Sequence, residues 1–341
     1  MPDRVAIVSS SYPAGPGDPS GHFVAAEAVE LARAGHDVLV VTTCGASPTR
    51  ADVAFEDGVR VLRLWSGRAA GFPGIVARLR ATPWQAAALG LWAVSAERAL
   101  RERGPFRRIV AHWLLPCGFP IASRAARGAE LEIVAHGSDA RLCAALPAAL
   151  RRALAARLLR HSAQLRCSSY AVREQLERAL SLAPESLTVR APSLDLRETP
   201  DRARARARLS IPAGDRLAVV VARLVPDKRV AEALRAARLV PNLHAAVIGD
   251  GPELAELRHR FPYARFLGRL PRTEALTWIA AADVLVSASR HEGAPTAIRE
   301  ARALGVAVAA RPAGDIARWA ELDAGLVLVP GTSKEGRTRR D

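Results

Sequence analysis

Residues 217–252 read LAVVVARLVPDKRVAEALRAARLVPNLHAAVIGDGP, and this stretch decides the fold. An unbroken apolar run, Leu217–Ala222, leads into a short loop holding Arg223 and Lys228. A helical stretch follows, and then a second, mostly apolar run, His244–Ile248, which stops at Gly249-Asp250-Gly251-Pro252. Short apolar runs bounded by turn signals read as strands buried on both faces, and their alternation with helices predicts a parallel sheet covered on each side. The same unit recurs downstream at Ala264–Leu267, Val284–Ala288, Val306–Ala309 and Leu326–Val329. Upstream it recurs at Arg4–Ser10, Asp37–Thr42, Val59–Leu64, Arg108–Trp113, Leu131–His136 and Leu187–Ala191, with helices expected at Phe23–Ala34 and near Trp84–Arg103.

The rhythm breaks once. Pro192, Pro200, Pro212 and Gly214 flank a charged helix, Arg202–Leu209, which Thr199 is expected to cap with Pro200 in its first turn. A linker at 192–198 divides the 341 residues into 1–194 and 195–330, each near the roughly 150 residues of an ordinary domain. The polar end, Gly331–Asp341, reads as a disordered tail. The expected class is therefore α/β, with two doubly wound parallel-sheet domains. Two such domains on one linker form a cleft between facing sheet ends, and ligands bind beyond the carboxyl ends of the strands.

Composition narrows the function. The formal charge of +15 invites a polyanion, yet only Lys228 and Lys334 are lysines, so the charge is a general arginine bias. No helix-turn-helix, zinc-finger or aromatic RNA-binding motif is present, which disfavours nucleic acid as a partner. No Gly-x-Gly-x-x-Gly with a following acidic residue supports a dinucleotide oxidoreductase. Cys44, Cys117, Cys143 and Cys167 have no metal-ligand or redox spacing and read as reduced thiols. No apolar run is long enough to span a membrane and no secretory leader opens the chain, so a cytoplasmic protein is expected. Arg141–Arg166 interleaves Arg151, Arg152, Arg157 and Arg160 with Leu and Ala; it is either composition alone or a basic amphipathic surface for an anionic membrane.

The strand ends carry the candidate chemistry. Arg223 and Lys228 lie just ahead of a helix N-terminus, where free N–H groups and the dipole already favour an anion. A diphosphate is the natural guest, a pair of surface ions the plain alternative. Glu292 precedes the helix opened by Pro295, Gly293 permits close backbone approach, and Glu300 follows about two turns on. A carboxylate accepts paired hydrogen bonds from neighbouring hydroxyls; beside Arg299 and Arg302, Glu300 also fits a solvated face. In the first half, the loop from Tyr12 to Gly21 follows the first strand, and His112 and His136 each close a strand. Both histidines are expected to face the cleft, either as structural or as functional groups.

These residues resemble a known family. Glu292-Gly293-Ala294-Pro295-Thr296-Ala297-Ile298-Arg299-Glu300-Ala301 with Leu304-Gly305 is similar to the Glu-seven-Glu signature of the family-4 retaining glycosyltransferases. Ala222–Lys228 resembles their donor-phosphate motif and Ile248–Pro252 their next strand end; Gly35-His36-Asp37-Val38 and the two histidine strands also fit. The resemblance implies the GT-B fold, two Rossmann-like domains with the acceptor on the N-domain and a nucleotide-sugar donor on the C-domain. It implies that Arg223 and Lys228 bind the donor diphosphate, that Glu292 and Gly293 meet the sugar and that Glu300 binds the ribose. Gly249 and Gly21 would line the donor, and His136 would stand by the reacting carbon. His112, Ser138 and Asp139 would lie on the acceptor side, the acceptor being a glycan, a lipid-linked or a small molecule. No Asp-x-Asp pair is present, so neither a metal nor a cofactor is expected. Departures are Ser20-Gly21 for the family's glycine pair, Ala313-Gly314-Asp315-Ile316 for its Gly-Gly-x-x-Glu, and the family's helices beyond residue 330. The alternatives are a sugar-nucleotide-binding protein without full transfer activity, expected if those helices are lost, and a nucleotide-sugar epimerase.

Overall fold

The computed structural model describes residues 2–15, 17–45, 53–70, 75–161, 163–197 and 199–329, so the tail expected at 331–341 lies outside the described residues. The chain forms two compact units that meet between Asp195 and Leu196.

In chain order, the N-terminal unit runs β1 (Arg4–Ser9), α1 (His22–Arg33), β2 (Asp37–Cys44), β3 (Val53–Glu56), β4 (Val59–Trp65), α2 (Ile75–Ala81) and α3 (Gln85–Arg103). It continues with β5 (Arg108–His112), α4 (Ser123–Ala125), β6 (Glu130–Ala135), α5 (Ser138–Ala145), α6 (Ala148–Arg160), β7 (Gln164–Cys167), α7 (Tyr170–Leu180) and β8 (Leu187–Val189). The sheet order is β3-β4-β2-β1-β5-β6-β7-β8. All neighbours are parallel except β3 and β4. The C-terminal unit runs α8 (Arg202–Arg208), β9 (Arg216–Val221), α9 (Val230–Arg238), β10 (Leu243–Ile248), α10 (Leu254–Arg260), β11 (Arg265–Gly268) and α11 (Arg272–Ala281). It ends with β12 (Val284–Ser287), α12 (Thr296–Ala303), β13 (Ala307–Ala310), α13 (Ile316–Leu322) and β14 (Leu326–Leu328). Its sheet is wholly parallel in the order β11-β10-β9-β12-β13-β14.

Each central strand feeds two cores, as the apolar runs require. Ala6 and Val8 of β1 pack with Trp92, Ala96 and Leu100 of α3, whereas Val5 and Ile7 pack with Val24 and Ala28 of α1. In β9, Leu217 and Val219 join Ile279 and Ile298 on one face; Ala218 and Val220 join Val230 and Leu234 on the other. The period-two alternation of a strand sorts adjacent side chains onto opposite faces, and helices close both.

Three local expectations need correction. β3 is an antiparallel edge strand joined to β4 through Asp57-Gly58, both with positive φ (48° and 83°). An Asp-Gly pair suits such a two-residue hairpin. β7 is a strand although it holds Gln164 and Arg166, so the Arg141–Arg166 stretch is two helices and a strand rather than one basic surface. The helix at 202–208 is capped by Asp201, whose carboxylate accepts from the Arg204 N–H at 2.9 Å, not by Thr199.

Arg166 is buried because partners await it. Its guanidinium pairs with Glu27 of α1, which is 3% exposed, and lies 2.5 Å from Glu132 of β6. Arg108 reaches Glu132 at 3.4 Å and Arg190 reaches Glu27 at 3.4 Å. His112, fully buried at the end of β5, places Nε2 3.5 Å from the second Glu27 oxygen. Burial, reinforced by Arg166 and Arg190, pushes the His112 pKa down from 6.5 to about 3, so the ring stays neutral. The unfolded chain then binds a proton that the native chain refuses between those two values. The stabilisation is complete above pH 6.5 and is lost as the pH falls toward 3. Urea unfolding at pH 6.5 and at pH 5 should differ by about 2 kcal/mol from this group alone. His112→Asn should flatten the dependence; a wild-type stability that does not change over that interval would refute the assignment.

Candidate functional site

In a doubly wound sheet the strand order reverses at one place, and the loops leaving the two strands there diverge and open a crevice. In the C-terminal unit this place lies between β9 and β12, and in the N-terminal unit between β1 and β5. The loops leaving these strands carry most of the residues singled out in the sequence.

After β9 the chain passes Ala222 and Arg223 and makes a short turn, Pro226–Lys228, before α9. After β12 it runs Ser289-Arg290-His291-Glu292-Gly293 to α12, which starts after Pro295. The two loops are laced together. The Arg290 N–H donates to the Asp227 carbonyl at 2.8 Å, and His291 Nδ1 lies 2.7 Å from Asp227 Oδ1. This lacing brings Lys228 Nζ to 2.6 Å from Glu292 Oε1, a partly buried ion pair that unites two of the candidates. Arg223 is exposed at the end of β9.

Glycines set the approach distances. Gly249, at φ 143°, ends β10 so close to the end of β9 that a Cβ would stand 1.8 Å from the Ala222 carbonyl oxygen. Gly314, in the segment that departs from the family's glycine pair, faces the Glu292 carbonyl, where a Cβ would stand 2.4 Å away. Glu300 is not on a solvated face: it is 5% exposed, and its Oε1 accepts from Arg272 at the start of α11. Burial raises its pKa, opposed by the neighbouring Arg272 and Arg299.

In the N-terminal unit, Gly21 caps α1 at φ 61°, and a Cβ there would meet the Ser11 carbonyl oxygen at 2.2 Å. The glycine is required by the loop's own packing. His136, just past β6, is half-buried and lies nearly parallel to His112, the ring centroids 5.2 Å apart and the planes 11° off, with its Nε2 3.0 Å from His112 Nδ1. Phe23 and Trp113 flank it at 4.9 and 5.0 Å. Burial holds its pKa well below the usual value, with His112 and Arg166 adding to the shift. The sequence expectation that both histidines face outward is corrected for His112, which is sealed beneath His136 by the register that sets it beside Ser9 and Val134. Asp139 is likewise withdrawn from an acceptor role. It is buried, and its carboxylate accepts from the N–H groups of Leu114, His136 and Ala140 at 2.8, 2.9 and 3.1 Å. Ser138 is exposed at the start of α5.

Several residues of these sites escaped the sequence reading. Arg272 looks like a surface cation at a helix start. Asp227 and His291 sit beside flagged residues but pair 64 positions apart. Glu27 did leave a signal: it follows Val24 by three residues and precedes Leu31 by four, the buried stripe of an amphipathic helix.

The chain is similar to known glycosyltransferases over both halves. Residues 201–336 match the model of the glycosyl transferases group 1, and residues 20–193 that of the glycosyl transferase 4-like domain. Over 112 residues the chain is 36% identical to TuaC of Bacillus subtilis (strain 168), a glycosyltransferase assigned to teichuronic acid biosynthesis. That match spans 33% of this chain and 28% of the relative. Sucrose-phosphate synthase from Thermosynechococcus elongatus superposes with a TM-score of 0.74 at 20% identity, covering 97% of this chain and 86% of that one. Alr3699/HepE of Anabaena, in complex with UDP and glucose, gives 0.67 at 18%, covering 96% and 85%. The two parallel-sheet domains are the GT-B fold of such enzymes, and with both halves matched the chain belongs to the group 1 glycosyltransferases, its N-terminal half being a glycosyl transferase 4-like domain.

Proposed function

We propose that the chain is a retaining glycosyltransferase that takes a sugar from a nucleoside diphosphate sugar and passes it to a hydroxyl of a glycan, lipid-linked or small-molecule acceptor. The observation that carries this reading is the Lys228–Glu292 pair at the strand-order reversal of the C-terminal unit. A cation for the diphosphate and a carboxylate for the sugar hydroxyls stand within 2.6 Å of each other, held by two laced loops. In the reaction the bond from the anomeric carbon to the diphosphate oxygen breaks and its electron pair leaves with the diphosphate. The acceptor oxygen bonds to the same face of that carbon, and its proton passes to the departing phosphate. The barrier falls when the growing charge meets fixed positive groups. Arg223, Lys228 and the free N–H groups opening α9 are assigned that task, with no metal ion or cofactor called upon. Gly249 and Gly293 allow the donor to lie against backbone, and Glu300, held by Arg272, is assigned to the ribose hydroxyls. A structural relative crystallised with UDP and glucose supports the donor class.

The protein is placed in the cytoplasm, with a peripheral contact to an anionic membrane through α5 and α6. Arg141, Arg152 and Arg160 are exposed there beside exposed Leu142, Leu150 and Leu159. Arg166 takes no part, being buried in β7. Among the described residues no helix is long and apolar enough to cross a membrane.

Arg223→Ala and Lys228→Ala should each weaken nucleoside diphosphate binding roughly tenfold or more, since a charge-assisted hydrogen bond contributes about 1.5–3 kcal/mol. Calorimetry should show the loss with the diphosphate and not with the nucleoside; equal affinity for wild type and variants would remove the phosphate assignment. Turnover should be unchanged in EDTA, and the product's anomeric proton should show the donor's configuration by NMR. An inverted anomer, or activity restored only by a divalent ion, would count against the mechanism. Vesicles containing anionic lipid should sediment the protein and neutral vesicles should not, with Arg152→Glu and Arg160→Glu together abolishing the effect. Wild-type protein that stays in the supernatant at low salt would end the membrane reading.

A further inference from the structure

The buried ion cluster of the N-terminal unit and the histidine outside it form one line of polar groups, in which the two imidazoles are hydrogen-bonded and the carboxylate faces the inner ring. Glu27 presents Oε1 to Arg166 and Arg190 and turns Oε2 toward His112 Nε2 at 3.5 Å. His112 Nδ1 then meets His136 Nε2 at 3.0 Å. One hydrogen lies between two ring nitrogens at that distance, and the question is which ring owns it. Were it on His112 Nδ1, the neutral His112 ring would turn a bare Nε2 on a carboxylate, two acceptors facing each other where no water screens them. The hydrogen therefore belongs to His136. His112 is the Nε2–H tautomer, turning that N–H to the Glu27 carboxylate 3.5 Å away by electrostatic attraction rather than a hydrogen bond, and accepting at Nδ1; His136 is also the Nε2–H tautomer and is left with a lone pair on Nδ1. That nitrogen is bonded by no described residue, and the ring carrying it is clamped between Phe23 and Trp113.

We propose that Glu27, acting through His112, is a positioning residue that locks His136 as an acceptor at Nδ1, so that this site selects a ligand group that donates a hydrogen bond, a sugar hydroxyl, over a carboxylate or an ether oxygen. This rests on the glycosyltransferase reading for the identity of the ligand, but not for the tautomer. The second nitrogen of a histidine is set by the bond the first one makes. A buried carboxylate held by two arginines is a fixed reference for that ring, because the two ion pairs fix where its oxygens lie. The inference also explains why a charge cluster sits beneath a half-buried ring rather than at the surface: burying an ion group adds little stability and gains geometry.

The tautomer is read without substrate by long-range proton–nitrogen NMR on protein with isotope-labelled imidazole rings. In wild type, His136 should show a protonated Nε2 and a bare Nδ1. His112→Asn should keep this state, since the amide oxygen takes the place of Nδ1 as acceptor. His112→Leu should release His136 into a mixture of both tautomers. Glu27→Gln should also release it, because an amide can donate as well as accept; if Arg166 without its carboxylate prevents folding, the two His112 variants carry the test. Turnover with a neutral nucleoside diphosphate hexose should fall by about tenfold or more in His112→Leu, the equivalent of one hydrogen bond, and stay within about threefold of wild type in His112→Asn. A His136 Nδ1–H tautomer in wild type, an unchanged tautomer in a folded Glu27→Gln or His112→Leu, or equal loss of turnover in His112→Asn and His112→Leu would each overturn the proposal. A wild-type protein with the expected tautomer and no transfer activity would count instead against the glycosyltransferase reading and leave the positioning of His136 standing.

Discussion

Burial of the central strands on both faces constrains everything else in this protein. A strand such as Ala6–Val8 or Leu217–Val220 has no side turned to water, so its side chains are apolar and its hydrogen bonds go to neighbouring strands. Polar chemistry is pushed to where the strand stops. Lys228, Glu292, His136 and the glycines Gly21, Gly249 and Gly314 all stand in segments that leave a strand end or meet one. Glycine serves at such ends because several chain segments converge within a few ångströms, and a Cβ at Gly249 or Gly314 would occupy a carbonyl oxygen's place.

The ion pairs divide by how much water they keep. Pairs on helix surfaces, such as Arg98 with Glu102, are exposed and contribute little. Lys228 with Glu292 is partly buried, and each group retains bonding capacity the other does not fill. The centre of the Glu27 cluster, Glu27 with Arg166, is buried, while Arg190 at its edge is exposed. Breaking it from one side leaves an unpaired buried charge, a loss of about 3–5 kcal/mol. The first of these classes is incidental, the second suits binding, and the third fixes geometry.

Much of this was legible in the sequence, and the exceptions have physical reasons. The apolar runs mark the central strands because double burial leaves no other composition. β7 escaped because Arg166 is polar by type and buried by partnership, and the partners lie on α1 and β6, far away in sequence. β3 escaped because an edge strand needs no apolar run, although Asp57-Gly58 marks its turn. The spacing of Glu292 and Glu300 pointed to a site, but the residue that holds Glu300, Arg272, carries no local mark. His112 was assigned outward because it closes a strand at the sheet end where ligands bind; the register there places it beside Ser9 and Val134, fully buried beneath His136. Local pattern reports periodicity and turn chemistry; it does not report which distant charge will neutralise a buried one.

The two strand-order reversals differ in charge. The one in the C-terminal unit gathers Arg223, Lys228 and a helix N-terminus, with Glu292 as counter-charge. The one in the N-terminal unit presents the His136 imidazole, whose pKa burial holds low, over the neutral His112 ring and the charges beneath it. A reaction that expels a diphosphate needs cations at the leaving group, where charge accumulates. It gains nothing from a second cation beside a neutral sugar, since an imidazolium would repel the positive charge that develops at the anomeric carbon. A neutral histidine that offers the sugar an acceptor, as proposed for His136, meets that requirement. Keeping it neutral takes a desolvated ring, and keeping it oriented takes a second ring and a fixed carboxylate beneath.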